Sequence, residues 1–302
     1  MTEIVPGPRR DRYALVRLLG RGGAAETWFA RREGGLFPEC VCIKRSLRYL
    51  NRDARRSLLE EARLLARIRH ANVVQLLDGL EDRTGEVFLV LELVRGTDLR
   101  GLSRALAERG RLLRPSAVAA IAMYLCRALA AAQRAVPGGI VHRDVTPHNV
   151  LVSSEGEIKL ADFGIARAFD REPWTLPGLV KGKAGFFSPE QLRGEALDVR
   201  SDLFAVGIIA FELLLGFRPI FAPGTEMELR IAECRAALAR LGPAIPFGLS
   251  DAILSLLAAE RSDRPATADA AARLLSRFTD EQRAIDELRQ TFVDLGGSLG
   301  GY

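Results

Sequence analysis

From Tyr13 to Leu91 hydrophobic and polar positions alternate with a period of two, interrupted by one stretch of helical period. The segment YALVRLLGRGGAAETWFAR predicts two strands around a glycine-rich turn, and ECVCIKRSL predicts a third strand. Alternation along this third strand puts Cys40, Cys42 and Lys44 on one face. The helical stretch runs roughly from Ala54 to Arg69. At about 100° per residue it groups Leu58, Glu61, Ala62 and Leu65 on one side, and turns Glu60 away with Arg56, Leu64 and Arg67. Glu61 is therefore expected inside and Glu60 in water. An inward glutamate needs a cationic partner, because an unpaired buried charge is costly, and Lys44 is the candidate. Two further strands, around VVQLLDGL and VFLVLEL, lead into the short connector VRGTDL.

Beyond this connector the pattern turns helical. PSAVAAIAMYLCRALAAAQRA predicts a helix apolar on most sides, as a buried element is. IVHRDVTPHNVLV and IKLADFGIAR read as short apolar strands flanking polar loops, and DLFAVGIIAFELLLG as a second buried helix. From about Thr279, DEQRAIDELRQTFVDL places Ile285, Leu288, Phe292 and Leu295 at helical spacing ahead of GGSLGGY. This predicts an extra helix packed on the larger half, with docking of a partner as the other reading. The chain has no internal repeat.

With 302 residues, 48% of them hydrophobic, the chain has enough apolar material for a large core. A run of about 18 apolar residues is missing, and MTEIVPGPRRDRY has no apolar stretch of the signal-peptide kind. The expectation is a cytoplasmic protein without a membrane segment. Cys40, Cys42, Cys126 and Cys234 have neither C-x-x-C spacing nor a nearby histidine, which predicts reduced thiols and no zinc. A net charge of +5 raises the question of nucleic acid, but the arginines are scattered among Asp and Glu, as on a solvated surface. Among 43 basic residues only Lys44, Lys159, Lys181 and Lys183 are lysines. Lysine's compact charge is a candidate requirement where an arginine-rich chain keeps it.

The chemistry concentrates in VHRDVTPHNV, where Asp144 and Asn149 form a pair suited to a substrate proton and a metal ion. It is followed by DFG at Asp162, and both motifs with Asn149 between them are hard to account for as two polar surface loops. Together with GRGGAAETW, VCIK, FFSPEQL, SDLFAVG and SDRPAT, these motifs resemble a protein kinase, and within that family the eukaryotic-like (Hanks-type) serine/threonine kinases of bacteria. The resemblance spans about Tyr13 to Phe278 and implies an α+β, bilobal protein-kinase fold. Residues 13–94 would form a small antiparallel β-sheet lobe with one key helix, and 95–278 the hinge and a larger, mainly helical lobe. Residues 1–12 would be an N-terminal tail, and 279–302 a C-terminal helix with a glycine-rich tail.

The resemblance also implies roles. Gly20, Gly22 and Ala25 would form the turn over the ATP phosphates, with Ala25 where the family usually has a third glycine. Cys42 would stand in the roof of the adenine pocket, Leu91 would limit its back, backbone groups of Glu92 and Val94 would bind the adenine edge, Asp98 would hold the ribose, and Thr27 and Leu151 would also take part in binding ATP. Cys42 is otherwise a small packed thiol. Lys44, paired with Glu61, would bind the α- and β-phosphates. Asp144 would accept or orient the substrate hydroxyl's proton, while Asn149 and Asp162 would hold Mg²⁺ (or Mn²⁺) through oxygen. His142 would be a packed structural histidine, and Asp202 would tie down the catalytic loop. Glu190 would pair with Arg264 in a platform that docks protein substrates.

Two departures matter. The family's serine/threonine members carry lysine at the position of Thr146 and threonine at that of Lys183, and here the residue types have traded places. The expectation is that Lys183 supplies the γ-phosphate cation, so that Asp144, Lys44, Glu61, Lys183 and Thr146 form the catalytic set; the other reading of Lys183 is a solvated loop charge. The second departure is Leu179, which stands where relatives carry a phosphorylatable threonine. Thr175 is the remaining hydroxyl between Asp162 and Lys183, and Arg143 the group that would receive its phosphate. The reading is an ATP- and Mg²⁺-dependent serine/threonine kinase acting on protein, with homodimerisation left open. A pseudokinase scaffold and a small-molecule kinase of the same fold are its rivals.

Overall fold

The computed structural model describes residues 3–6, 12–22, 25–33, 39–47, 52–82, 85–163, 184–219 and 226–296. They fall into two compact units, the first taking in residues up to Val94 together with Phe163, the second opening at Arg95.

In the first unit, β1 (Glu3–Pro6), β2 (Arg12–Arg21), β3 (Ala25–Glu33), β4 (Glu39–Ser46), β5 (Leu76–Glu81) and β6 (Val87–Glu92) form one antiparallel sheet, and α1 spans Arg52–Leu65. The strand order is β1-β2-β3-β4-β6-β5. Pairing sets Thr27 opposite Lys44 and Lys44 opposite Leu89, so these side chains share one face. The other face holds a core of Val5, Tyr13, Leu15, Ala30, Val41, Ile43, Phe88 and Val90. Every residue of β6 from Val87 to Leu91 is buried, because this strand is covered on both faces.

Two boundaries differ from those expected. Residues 1–12 are not simply a tail, since Glu3–Pro6 pairs with Arg12–Leu15 and buries Val5. A four-residue strand is too short to announce itself by periodicity. Its Pro6 sits at the end of an edge strand, where a missing N–H costs nothing. Helix α1 stops at Leu65 rather than Arg69. Its last turn tightens, with Arg67 N–H donating to Leu64 and Ile68 N–H to Leu65, so that Ile68 is buried without extending the helix.

In the second unit β7 (Gly96–Asp98), β8 (Val150–Ser153) and β9 (Ile158–Leu160) form a small sheet. The predicted connector VRGTDL is thus partly strand. Gly96 is required there, since a Cβ would stand 2.0 Å from the Val152 carbonyl oxygen of β8. Ile140 and Val141, expected as strand, are not in one. The helices are α2 (Leu99–Ala107), α3 (Pro115–Ala135), α4 (Pro189–Leu192), α5 (Val199–Leu215), α6 (Met227–Ala239), α7 (Leu249–Leu256), α8 (Ala268–Leu275) and α9 (Glu281–Leu295). Helix α3 is long and apolar enough to cross a membrane, but 78% of its apolar stretch is buried inside the protein. Its neighbours there are α5, α8 and α9.

Helix α9 packs on this unit as expected. Leu288 and Leu295 are buried, joined by Ala284 and Thr291, whereas Ile285 and Phe292 are half-buried. Thr291 can take an inward position because its hydroxyl donates to the Glu287 carbonyl, 2.8 Å away. Arg127 holds the start of the helix through two bonds of 2.7 Å to Glu281.

Candidate active site

In the second unit, residues 142–149 form a loop hung from one buried carboxylate. Asp202, near the start of α5, accepts the backbone N–H of His142 at 2.7 Å and that of Arg143 at 2.8 Å. Burial pushes its pKa up to about 7, against the two amide donors, which favour the charged form. Arg143 has φ +67°, a left-handed conformation that costs a non-glycine residue energy and persists only where the surroundings impose it. Asp202 grips its N–H side, and Gln191 Nε2 donates to its carbonyl at 3.2 Å.

His142 is fully buried, and its Nδ1 accepts the Asp144 N–H at 3.3 Å. That bond leaves the proton on Nε2, which lies 3.0 Å from the Ala161 carbonyl. His142 is thus a strut joining the loop to the residue before Asp162. Ala161 N–H in turn donates to the Asn149 carbonyl at 2.8 Å, which sets the Asp162 segment beside Asn149. Asp162 also has a positive φ, +56°.

Asn149 Nδ2 donates to the Asp144 carbonyl at 2.8 Å and to Asp144 Oδ2 at 3.2 Å. Both amide hydrogens are spent on Asp144, so the amide oxygen is what Asn149 presents elsewhere. An amide oxygen and the Asp162 carboxylate are hard oxygen donors of the kind Mg²⁺ takes. Among the described residues no group of three or more His, Cys, Asp and Glu side chains could hold a metal alone. Thr146 is buried, and its hydroxyl has no hydrogen-bond partner among the described residues.

The platform after this loop is built on α4. Ser188 and Gln191 form a reciprocal capping box at its start, a signal present in the sequence as S-P-E-Q. Glu190 meets Arg264 in a buried two-pronged pair at 2.7 and 3.0 Å and also accepts from Ser201 at 2.6 Å. Burial works to raise the Glu190 pKa, but the bonds from Arg264 and Ser201 prevail and hold it below the usual carboxylate value. Sequence reading missed Gln191 and Ser201.

Asp98 caps α2, its Oδ1 accepting from Gly101 N–H at 2.6 Å, while Oδ2 lies 3.2 Å from Nδ1 of His148. His148 was not singled out from the sequence, where a lone exposed histidine carries no signal. Leu151 pairs with Asp98 across β7 and β8.

In the first unit, Lys44 Nζ donates to both oxygens of Glu61 at 2.7 and 2.8 Å. Glu61 is buried, whereas Glu60 lies outward in an ion pair with Arg63. Gly20 and Gly22 flank the predicted turn, where Gly22 N–H donates to Ala25 at 2.8 Å. A Cβ would meet nothing within 4 Å at Gly20, and only the Ala25 carbonyl at 3.6 Å at Gly22. This open ground lets a phosphate approach the backbone. Cys42 is half-buried opposite Leu91, and Thr27 stands opposite Lys44. Val94 is buried, and Glu92 N–H is already engaged by the Gln75 carbonyl at 3.0 Å. Thr175, Leu179, Lys181 and Lys183 lie outside the described residues.

Comparison with known proteins identifies the family and the fold. Residues 13–274 match the family model described as a protein kinase domain. Tyrosine-protein kinase MasK of Myxococcus xanthus is 34% identical over 280 residues, covering 89% of this chain and 43% of MasK. Serine/threonine-protein kinase PknL of Mycobacterium tuberculosis is 37% identical over 232 residues, or 76% of this chain and 56% of PknL. The crystal structure of the Mycobacterium tuberculosis PknI kinase domain superposes with a TM-score of 0.62 at 25% identity, over 88% of this chain and 95% of that one. The chain spans about half the length of these curated relatives, 43% and 56%. By its fold, its catalytic-loop motifs and these relatives, the chain belongs to the protein kinase domain family, in the Hanks-type group of bacteria.

Proposed function

We propose that this chain is an ATP- and Mg²⁺-dependent protein kinase that transfers the γ-phosphoryl group of ATP to serine and threonine hydroxyls of cytoplasmic protein substrates. The observation that carries the reading is the loop in which Asn149 orients Asp144 while Asp202 and Gln191 hold the strained Arg143. Phosphoryl transfer needs little covalent help from a protein and much positioning, which is what this loop supplies.

In this reading Asp144 orients the acceptor hydroxyl and receives its proton. Asn149 and Asp162 hold Mg²⁺, and the chemistry supplied by that ion is neutralisation of phosphate oxygens. Lys44, its ammonium fixed by Glu61, meets the α- and β-phosphates. Gly20, Gly22 and Ala25 cover the phosphates from the turn. Thr27, Cys42, Leu91, Val94, Leu151 and the carbonyl of Glu92 serve the adenine. Asp98 holds the ribose while it also caps α2. Lys183 supplies the γ-phosphate cation in place of a lysine at Thr146. Arg143 receives a phosphate carried by Thr175. The platform built on Glu190 and Arg264 favours protein over small-molecule acceptors.

The acceptor residue is a separate question, since MasK is named a tyrosine kinase and PknL a serine/threonine kinase. HRDVTPHN lacks the Ala/Arg pattern of tyrosine-specific loops, which supports serine and threonine. The test is incubation with labelled ATP and Mg²⁺, with and without a generic basic protein, followed by phosphoamino-acid analysis. Phosphoserine and phosphothreonine are expected. Phosphotyrosine alone would overturn the acceptor assignment, and equal transfer by the parent and Asp144→Asn would overturn the mechanism.

A further inference from the structure

A charged cluster occupies the face of the first sheet opposite Lys44. Glu26 of β3 is only 3% exposed, and its carboxylate is held by partners on three strands. Arg21 of β2 donates to Oε1; on Oε2 the Trp28 indole donates at 3.1 Å and Arg45 of β4 at 3.0 Å. Burial alone would raise the Glu26 pKa, but the bonds from Trp28, Arg45 and Arg21 prevail and hold it low. Arg45 reaches further, donating to Glu3 of β1 at 2.8 Å, with its guanidinium 5.2 Å from the centroid of the Trp28 ring.

The cluster adjoins both phosphate-facing groups of this unit. Arg21 and Glu26 are register partners on the rung beside the Gly22–Ala25 turn. Glu26 and Arg45 form the rung beside that of Thr27 and Lys44. Successive residues of a strand point to opposite faces, so the cluster grips these backbones from behind and leaves the Lys44 face open. Strands β1 and β4 have two strands between them, and the Glu3 bond closes across that gap because the sheet curls. Register irregularities in β2, at Leu15/Arg17 and Leu18/Gly20, provide the bend. Glu3 also precedes residues 13–274, the span shared with the family. A glycine-rich turn left to itself samples many conformations, and fixing one of them is what such a grip can do.

We infer that Glu26 is a positioning residue that sets the glycine-rich turn against Lys44 for the phosphates of ATP, and that β1, through Glu3 and Arg45, belongs to the same device. The inference rests on the ATP reading above.

The experiment measures ATP affinity in the presence of Mg²⁺ by calorimetry, together with KM, kcat and melting temperature. Glu26→Gln keeps the shape and loses the charge. It is expected to weaken the Kd and KM for ATP by about tenfold or more, with kcat little changed, since small misplacements of binding groups have large effects. Arg21→Met cuts only the arm to the turn, at a side chain 61% exposed, and so tests the idea even if Glu26→Gln fails to fold. It is expected to act in the same direction, and Glu3→Gln likewise but less. Parent-like ATP affinity in Arg21→Met and Glu26→Gln, with or without a lowered melting temperature, would make the cluster purely structural and overturn the inference alone. A parent protein that binds no ATP would overturn the kinase reading and this inference together.

Discussion

Replacing Arg264 by methionine keeps an unbranched stem in place and removes the guanidinium. That group is fully buried and lies against Glu190, itself 1% exposed at the side chain. It bonds both Glu190 oxygens and also donates to the carbonyls of Ala258 at 2.9 Å, Arg200 at 3.0 Å and Ala259 at 3.1 Å. It stacks 4.8 Å from the Phe204 ring centroid as well. In the variant Glu190 keeps only Ser201 among these partners, and three partly buried carbonyls lose a donor. Removing one partner of a buried pair costs about 3–5 kcal/mol, far more than an exposed pair is worth. Against a total stability of about 5–15 kcal/mol this is a large fraction. A loss of that size lowers the melting temperature by on the order of 6–20 °C in a unit of this size.

The assay is urea and thermal denaturation followed by far-ultraviolet circular dichroism, which reports the helical second unit. The pH dependence adds a second readout. In the parent, Glu190 has a depressed pKa, so its contribution is complete above the ordinary value of 4.5 and is lost as pH falls through the lower folded value. In Arg264→Met the carboxylate is buried without its cation, and its pKa moves up instead. That penalty is present at neutral pH and fades below about 4.5. The gap between parent and variant should therefore be widest near pH 7 and narrow in acid. A cost under about 1 kcal/mol at pH 7, or a gap that widens in acid, would refute the reasoning.

Other outcomes follow from the catalytic reading. Asp144→Asn and Lys44→Met should each remove nearly all phosphoryl transfer, and Asp144→Asn should leave the circular dichroism spectrum and melting temperature close to the parent's, whereas Lys44→Met also strands the buried Glu61 and should lower the melting temperature; retained activity in Asp144→Asn would contradict the role given to that carboxylate. Lys183→Thr should lower kcat by about 10²-fold with little change in KM for ATP, the scale for loss of one transition-state charge stabiliser. The double variant Thr146→Lys/Lys183→Thr should recover part of it, with a coupling of about 1–3 kcal/mol, and additive effects at the two positions would disprove the exchange. Mass spectrometry after incubation with ATP should find phosphate on Thr175, and Thr175→Ala should slow the enzyme; equal rates would remove phosphate from its activation.

Local pattern was enough to read much of this chain. The period of two placed Lys44 opposite the Val41 and Ile43 face, and the helical period turned Glu61 inward and Glu60 outward. Helix α3 begins and ends where its apolar run does, Pro115–Ala135. These features are legible because each depends on neighbours within one turn or one strand, where spacing decides which face a side chain takes. The catalytic loop was legible for a different reason, as residue types at fixed spacing that resemble a known family.

Partners distant in sequence were decided only by the tertiary structure. Glu26 is an unremarked residue in GRGGAAETW until β4 brings Arg45 to it and the curled sheet adds Glu3. Gln191 carries a capping signal, but only the fold aims its amide at the Arg143 carbonyl, 48 residues away. Four residues of β1 become a strand because β2 offers unpaired backbone groups and the core has room for Val5. A buried charge must be matched wherever the chain happens to bring a counter-charge, and strand pairing satisfies backbone groups across any sequence distance. Such choices are settled by the geometry of the assembled sheet and helices, and a window of neighbouring residues does not contain them.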